Sequence, residues 1–133
     1  NFQKRKWGET LHKLGRDPEA ETLLESFTDV GGRIWLAHSL SQVKLALGKI
    51  EPALALVNEA VEGAVDHNII YRSSFLLQRA KVKIWLGQSA VDDIAEGLEH
   101  TRNQGLIGEF EKLRVRAADI ADHAGAPGSS NSD

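Results

Sequence analysis

The sequence predicts an all-α chain of about seven helices arranged as repeated hairpins, and three observations carry that expectation. Apolar residues recur at helical spacing along nearly the whole chain. No stretch alternates apolar and polar residues long enough to make a strand. Helix-stopping glycines return at similar intervals: Gly15, Gly48, Gly87 and Gly125 lie 33, 39 and 38 residues apart.

The first helix is expected over Phe2 to Leu14, with Trp7, Leu11 and Leu14 on one buried stripe and Gly15 as its left-handed cap. Asp17 is placed at the N-cap of the second helix, with Pro18 in the first turn, where its missing N–H costs nothing. That helix carries Ala20, Leu23, Leu24 and Phe27 to about Val30, and Gly31-Gly32 stops it. The third spans about Arg33 to Leu47 with Leu36, Leu40, Val43 and Leu47 inward, and Gly48 breaks it. The fourth starts near Glu51-Pro52 and buries Ala53, Leu54, Val57, Ala60, Val61 and Ala64, before a turn at Asp66-His67-Asn68.

The fifth helix runs from Ile69 or Ile70 to Leu86, with Leu76, Ala80, Val82 and Ile84 apolar. Ser89 and Asp92 have the spacing of a capping box for the sixth. It is expected to bury Val91, Ile94, Ala95 and Leu98 and to reach Gln104, with Gly105 ending it. A seventh helix covers about Ile107 to Ala124 with Phe110, Leu113, Ala117, Ile120 and Ala121 inward, followed by a polar tail expected to be disordered over 126–133. Seven residues before each stopping glycine stands a small residue, Gly8, Ser41, Ala80 and Ala118. A small side chain there lets two helices approach closely.

Composition narrows the class of function. With 133 residues, 41% apolar and 26% charged, the chain is long enough for one globular core. No cysteine means no disulfide and no zinc-thiolate site, which fits a reducing, cytoplasmic setting. No apolar run is long enough to span a bilayer. No methionine is present, so Asn1 is not a translation start and the chain is expected to be a piece of a larger protein. The net charge of −3 is uneven. Residues 1–16 hold five bases against one acid, and residues 88–133 hold nine acids against four bases.

No enzyme motif accompanies this pattern. Glu9 and His12 have the Glu-x-x-His spacing of di-metal helix bundles, but such a site needs a second copy and two further acids, and none is found. His38 and Ser41 lie one turn apart, yet no orienting acid joins them and Ser41 falls on a packing position. His67, His100 and His123 fall near helix ends, where they complement the dipole. Neither HExxH, a Walker loop nor GxGxxG occurs, so no catalytic residue, cofactor or metal is expected. Lys4, Arg5, Lys6 and Trp7 are the only basic-aromatic cluster, and with Trp7 assigned to the core nucleic acid is disfavoured.

The repeat resembles the tetratricopeptide repeat (TPR), a helix-turn-helix unit of about 34 residues. Trp7-Gly8, Leu11, Gly15, Ala20, Leu24 and Phe27 fall at the family's spacings in the first unit, and Leu40, Gly48, Ala53, Val57 and Ala60 in the second. Ile94 and Leu98 follow two residues late in the third. Lys44 and Lys83 depart from the family's tyrosine position, and the unit-ending proline is missing. The longer units look like those of sensor domains in bacterial transcriptional activators of the maltose-regulator kind.

The resemblance implies an α-solenoid of antiparallel helix pairs, a right-handed superhelix over residues 1–125 with units at about 1–33, 34–72, 73–106 and a half unit at 107–125. The first helix of each unit then lines a concave groove. Carried onto this chain, the groove positions are Arg5, Glu9, His12 and Lys13, then His38, Gln42 and Leu45, then Leu77, Lys81, Ile84 and Trp85, with Asp119, Asp122 and His123 beyond. Trp85 reads either as an anchor for a partner or as a core tryptophan closing the fifth helix. The expected function is binding of a peptide or another protein as a scaffold or adaptor. The alternatives are a ligand-sensing regulatory domain of a transcriptional activator, and a structural spacer or self-associating unit with exposed end faces.

Overall fold

The computed structural model describes residues 2–26, 33–65 and 71–124. Among the described residues seven helices follow one another: α1 (Phe2–Lys13), α2 (Asp17–Glu25), α3 (Arg33–Ala46), α4 (Ile50–Gly63), α5 (Arg72–Trp85), α6 (Val91–His100) and α7 (Gln104–Ala124). Among the described residues there is no strand. The helices pack as the pairs α1–α2, α3–α4 and α5–α6. The odd-numbered helices also touch in succession, α1 on α3, α3 on α5 and α5 on α7.

Three of the turns are the same turn. After α1, the Arg16 N–H reaches the Leu11 carbonyl at 2.8 Å and the Gly15 N–H the His12 carbonyl at 3.0 Å. Lys49 to Lys44 with Gly48 to Leu45, and Gln88 to Lys83 with Gly87 to Ile84, repeat both bonds at the same distances. This is the Schellman cap, whose glycine must enter the left-handed region. Gly15, Gly48 and Gly87 do so at φ 78°, 79° and 72°. The next helix starts two residues after Gly15 and Gly48 but four after Gly87, which is why Ile94 falls two positions late.

Close approach of paired helices rests on the small residues. A Cβ on Gly8 would stand 2.6 Å from a Leu24 methyl of α2. Ser41 is fully buried and donates its hydroxyl to the Ala53 carbonyl of α4 at 2.8 Å, and Ala80 is likewise fully buried. Ala20 and Ala53 of the second helices have no exposed surface.

Apolar burial falls into two clusters. Leu11, Ala20, Leu24, Leu36, Leu40 and Val43 join α1, α2 and one side of α3. The larger cluster runs from Ala37 through α4 and α5 to Ile94 and Phe110. α5 is at its centre, touching α3, α4, α6 and α7. It buries Phe75, Leu76, Leu77, Ala80, Val82 and Ile84, together with Ser73 and Gln78, so more than one of its faces is covered, while Trp85 at its end is exposed.

Several expectations are corrected. Trp7 and Leu14 are 61% and 66% exposed rather than core, because only Leu11 of that stripe meets α2 and α3. Arg16, not Asp17, is the N-cap of α2, and Asp17 sits inside the first turn. The capping box at Ser89 does not form: Ala90 is the N-cap, and Ser89 merely accepts the Val91 N–H at 3.4 Å. Val91 is 64% exposed, and Ala95 is exposed as well.

α6 ends at His100, where Thr101 turns extended, and Gly105 lies inside the first turn of α7 instead of stopping α6. Asn103 decides that boundary by accepting the Leu106 N–H at 3.0 Å. Phe27, Gly31-Gly32, the 66–70 turn, Gly125 and the 126–133 tail lie outside the described residues, as do the side chains of 119–124.

Candidate functional site

A cavity of about 510 Å³ opens across the C-terminal halves of α1, α3 and α5. His12 comes from α1, Gln42, Leu45 and Ala46 from α3, and Gln78, Lys81 and Trp85 from α5, with Gly48 and Ile50 closing one side. The repeat register puts them together. Gln42 and Ala46 stand six and two residues before Gly48, and Lys81 and Trp85 stand six and two before Gly87. Spacings of three and four along one helix place side chains on the same face.

The cavity wall mixes apolar side chains, Leu45, Ala46, Ile50 and Trp85, with the polar His12, Gln42, Gln78 and Lys81. Gln78 donates to the Ser41 hydroxyl at 3.2 Å, and Ser41 donates onward to Ala53, so the amide is held in place. His12 Nδ1 lies 2.5 Å from Asp17 Oδ1. Among the described residues no carboxylate lies within ion-pair distance of the half-buried Lys81. Trp85 is 60% exposed, which removes the core reading, and the Arg116 guanidinium of α7 lies 5.7 Å from its ring centroid.

The remaining expected residues form a second group toward the N-terminal ends of the same helices. The Ser39 hydroxyl donates to Glu9 at 2.7 Å, and Arg5 approaches the same carboxylate at 3.8 Å. Arg5 also lies over Trp35, 5.5 Å from the ring centroid. Trp35 in turn meets Tyr71 and Phe75 edge-on at 4.5 and 5.2 Å.

His38 packs on Phe75 with centroids 4.8 Å apart, and its buried Nδ1 has no hydrogen-bond partner. Burial pushes the imidazole down to about 4; Glu9 opposes this, while Lys81 and Arg5 reinforce it. Leu77 is 8% exposed and belongs to the core, as does Ile84 at 7%. Thus His12, Gln42, Lys81 and Trp85 share the cavity, Arg5, Glu9 and His38 share the neighbouring cluster, and Leu77 joins neither.

Neither candidate chemical pair is assembled. Ser41 is committed to Ala53 and Gln78 rather than to His38. Glu9 and His12 turn to Ser39 and Asp17 respectively. Among the described residues no group of His, Asp and Glu could hold a metal ion. No described helix is long and apolar enough to cross a membrane.

Sequence reasoning passed over Ala46, Ile50 and Gln78 in the cavity and the Trp35, Tyr71 and Phe75 cluster. Gln78 lies off the apolar stripe that pattern-reading follows. The aromatics could have been found by asking what covers the N-terminal half of α3. Compared with known protein families, with characterised proteins and with solved structures, the chain has no match.

Proposed function

We propose that the chain is a TPR-like α-solenoid, coiling as a right-handed superhelix, whose concave face binds an extended or helical segment of a partner protein in the cavity spanning α1, α3 and α5. The observation that carries this reading is the cavity itself: three successive odd-numbered helices contribute His12, Gln42, Lys81 and Trp85 to one concavity of about 510 Å³. Three repeated turns, each with its left-handed glycine, support the repeat on which the reading depends. An exposed tryptophan beside a fixed amide, Gln78, and a cation, Lys81, has the composition of a binding hot spot, an apolar anchor ringed by polar groups. It is a site for recognition rather than reaction, and the adaptor role follows from that.

The test is selection of binders from a random peptide library on the immobilised chain, followed by titration of the winners. Peptides held in the cavity should lose about 2 kcal/mol or more of affinity on Trp85→Ala and respond to Lys81→Ala, while the melting temperature of both variants stays near that of the parent. Winners that bind the Trp85→Ala protein as well as the parent overturn the assignment. So does a selection that yields no binders.

A further inference from the structure

From α2 to α6, acids and bases alternate by helix. α3 and α5 carry Arg33, Lys44, Arg72, Arg79, Lys81 and Lys83 and no carboxylate. α2, α4 and α6 carry aspartates or glutamates and neither lysine nor arginine. The bases therefore find their partners on the acidic helices. Lys44 reaches Glu21 and Glu25 of α2 at 2.6 and 2.7 Å, and Arg33 pairs with Glu59 of α4. Arg72 meets Glu96 of α6 at 2.5 Å, and Arg79 and Lys83 share Asp93 at 2.8 and 2.9 Å.

Lys81 is the exception. It lines the groove and is half-buried, yet among the described residues no carboxylate lies within ion-pair distance of it. The rest of the lining supplies none: its other polar members are His12, Gln42 and Gln78. Asp17 is engaged by His12, and Glu9 by Ser39 and Arg5.

A shielded ammonium without a counter-ion rejects basic segments and favours a carboxylate, so it discriminates among sequences of similar shape. Resting on the reading of the groove as a binding site, we infer that its occupant is an acidic segment of a partner protein. A side-chain aspartate or glutamate pairs with Lys81, and an apolar neighbour lies on Trp85. A single-stranded nucleic acid would bring a phosphate at every nucleotide and calls for a row of cations. The wall offers one lysine and no arginine.

Selection from a library of short peptides, acetylated and amidated so that only side chains carry charge, tests this on the parent chain and on Lys81→Glu in parallel. Parent winners should be enriched in Asp or Glu beside an apolar residue, and Lys81→Glu winners in Lys or Arg. Titrated individually, parent winners should lose at least about tenfold in affinity on Lys81→Met. Methionine keeps the aliphatic stem, so a loss without a change in the thermal melt reads charge rather than folding. Arg33→Gln removes a cation that Glu59 already engages and should leave the affinity within about twofold.

Parent winners without acidic enrichment overturn the inference, and so do acidic winners that bind Lys81→Met as well as the parent. If those winners still lose affinity on Trp85→Ala, the groove stands as a binding site and only its acidic preference falls. Winners indifferent to Trp85→Ala remove the groove and the inference together. A free C-terminus that restores binding to peptides lacking acidic side chains also overturns it, since a terminal carboxylate is then the ligand. Displacement of the winners by an equal concentration of a single-stranded oligonucleotide overturns it in favour of a nucleic acid.

Discussion

His38 is the side chain whose environment most changes its chemistry. It is enclosed against Phe75, with an unpartnered Nδ1, and burial holds its pKa at about 4 rather than the usual 6.5. The fold therefore binds its proton less readily than the unfolded chain does. By linkage, the contribution of His38 is intact above pH 6.5 and is lost as pH falls from there to about 4. The size of that loss is of the order of 3 kcal/mol. Replacing the imidazole by a ring that cannot titrate should remove it. In chemical denaturation at pH 7 and pH 4, His38→Phe should lose less stability between the two than the parent does, by about that amount. Carboxylates that titrate in the same window are common to both proteins and cancel in the difference. Parallel losses in the two proteins would mean that His38 is accessible to protons in the folded state. Another side chain makes the opposite case. Asp93 is 3% exposed, and burial alone would lift its carboxyl, but Arg79 at 2.8 and 3.0 Å and Lys83 at 2.9 Å hold it below the usual carboxylate range.

At the scale of the helices, the glycines sort into three physical kinds, and each kind sets its own sign of response to alanine. Gly15, Gly48 and Gly87 sit at positive φ with open space around them, so Ala there meets no atom and costs only backbone strain, about 1 kcal/mol at each. Gly97 of α6 is a packing glycine: an added Cβ would fall 2.1 Å from the Phe110 ring, which is fully buried and cannot swing away. Gly97→Ala should therefore cost about 1–3 kcal/mol despite the better helix propensity. Gly108, exposed inside α7 with nothing near it, should gain about 0.5–1 kcal/mol as Ala. Thermal melts of Gly48→Ala, Gly97→Ala and Gly108→Ala should thus rank in the order 108, 48, 97 from most to least stable, and any other order would refute these assignments. The same distinction explains what the sequence made legible. Gly15, Gly48 and Gly87 stood out because a left-handed cap needs that residue type at that point. Gly105 misled because a glycine in a first helical turn has the same letter. The boundary there is set by Asn103 and Thr101, whose side chains accept the N–H groups of Leu106 and Asn103. In the cavity, His12, Gln42, Lys81 and Trp85 could be named because the repeat the sequence resembles supplies groove positions for each hairpin. Trp35, Tyr71 and Phe75 could not, because their contacts join α3 to α5 and depend on how the two hairpins are stacked.

Across the molecule, the division of the core makes stability uneven. α3 is a wall between two clusters: Leu36, Leu40 and Val43 face the α1–α2 side, while Ala37 on the same helix belongs to the cluster around α5. Leu56 of α4 packs against both. The α1–α2 hairpin thus rests on a cluster of six buried apolar residues, whereas α4 and α5 share one of fifteen. Apolar burial stabilises at about 25 cal/mol per Å², so the smaller cluster is the weaker attachment. Of its polar links, Lys44 bridges Glu21 and Glu25 of α2; the Glu25 pair is exposed and contributes about 0–1 kcal/mol, whereas the Glu21 pair is largely shielded from solvent. A hairpin held by its own, smaller cluster can open locally while the rest stays folded. Amide hydrogen exchange should therefore show α1 and α2 exchanging through a local opening with a lower free energy than α4 and α5. Denaturant should reveal the difference, since the α1–α2 opening exposes less surface and its free energy falls less steeply. If instead all four helices exchange with one free energy and one slope, the wall at α3 transmits unfolding and the chain behaves as a single cooperative unit. Leu56→Ala then becomes informative, because loosening the side chain that touches both clusters should separate the two exchange rates.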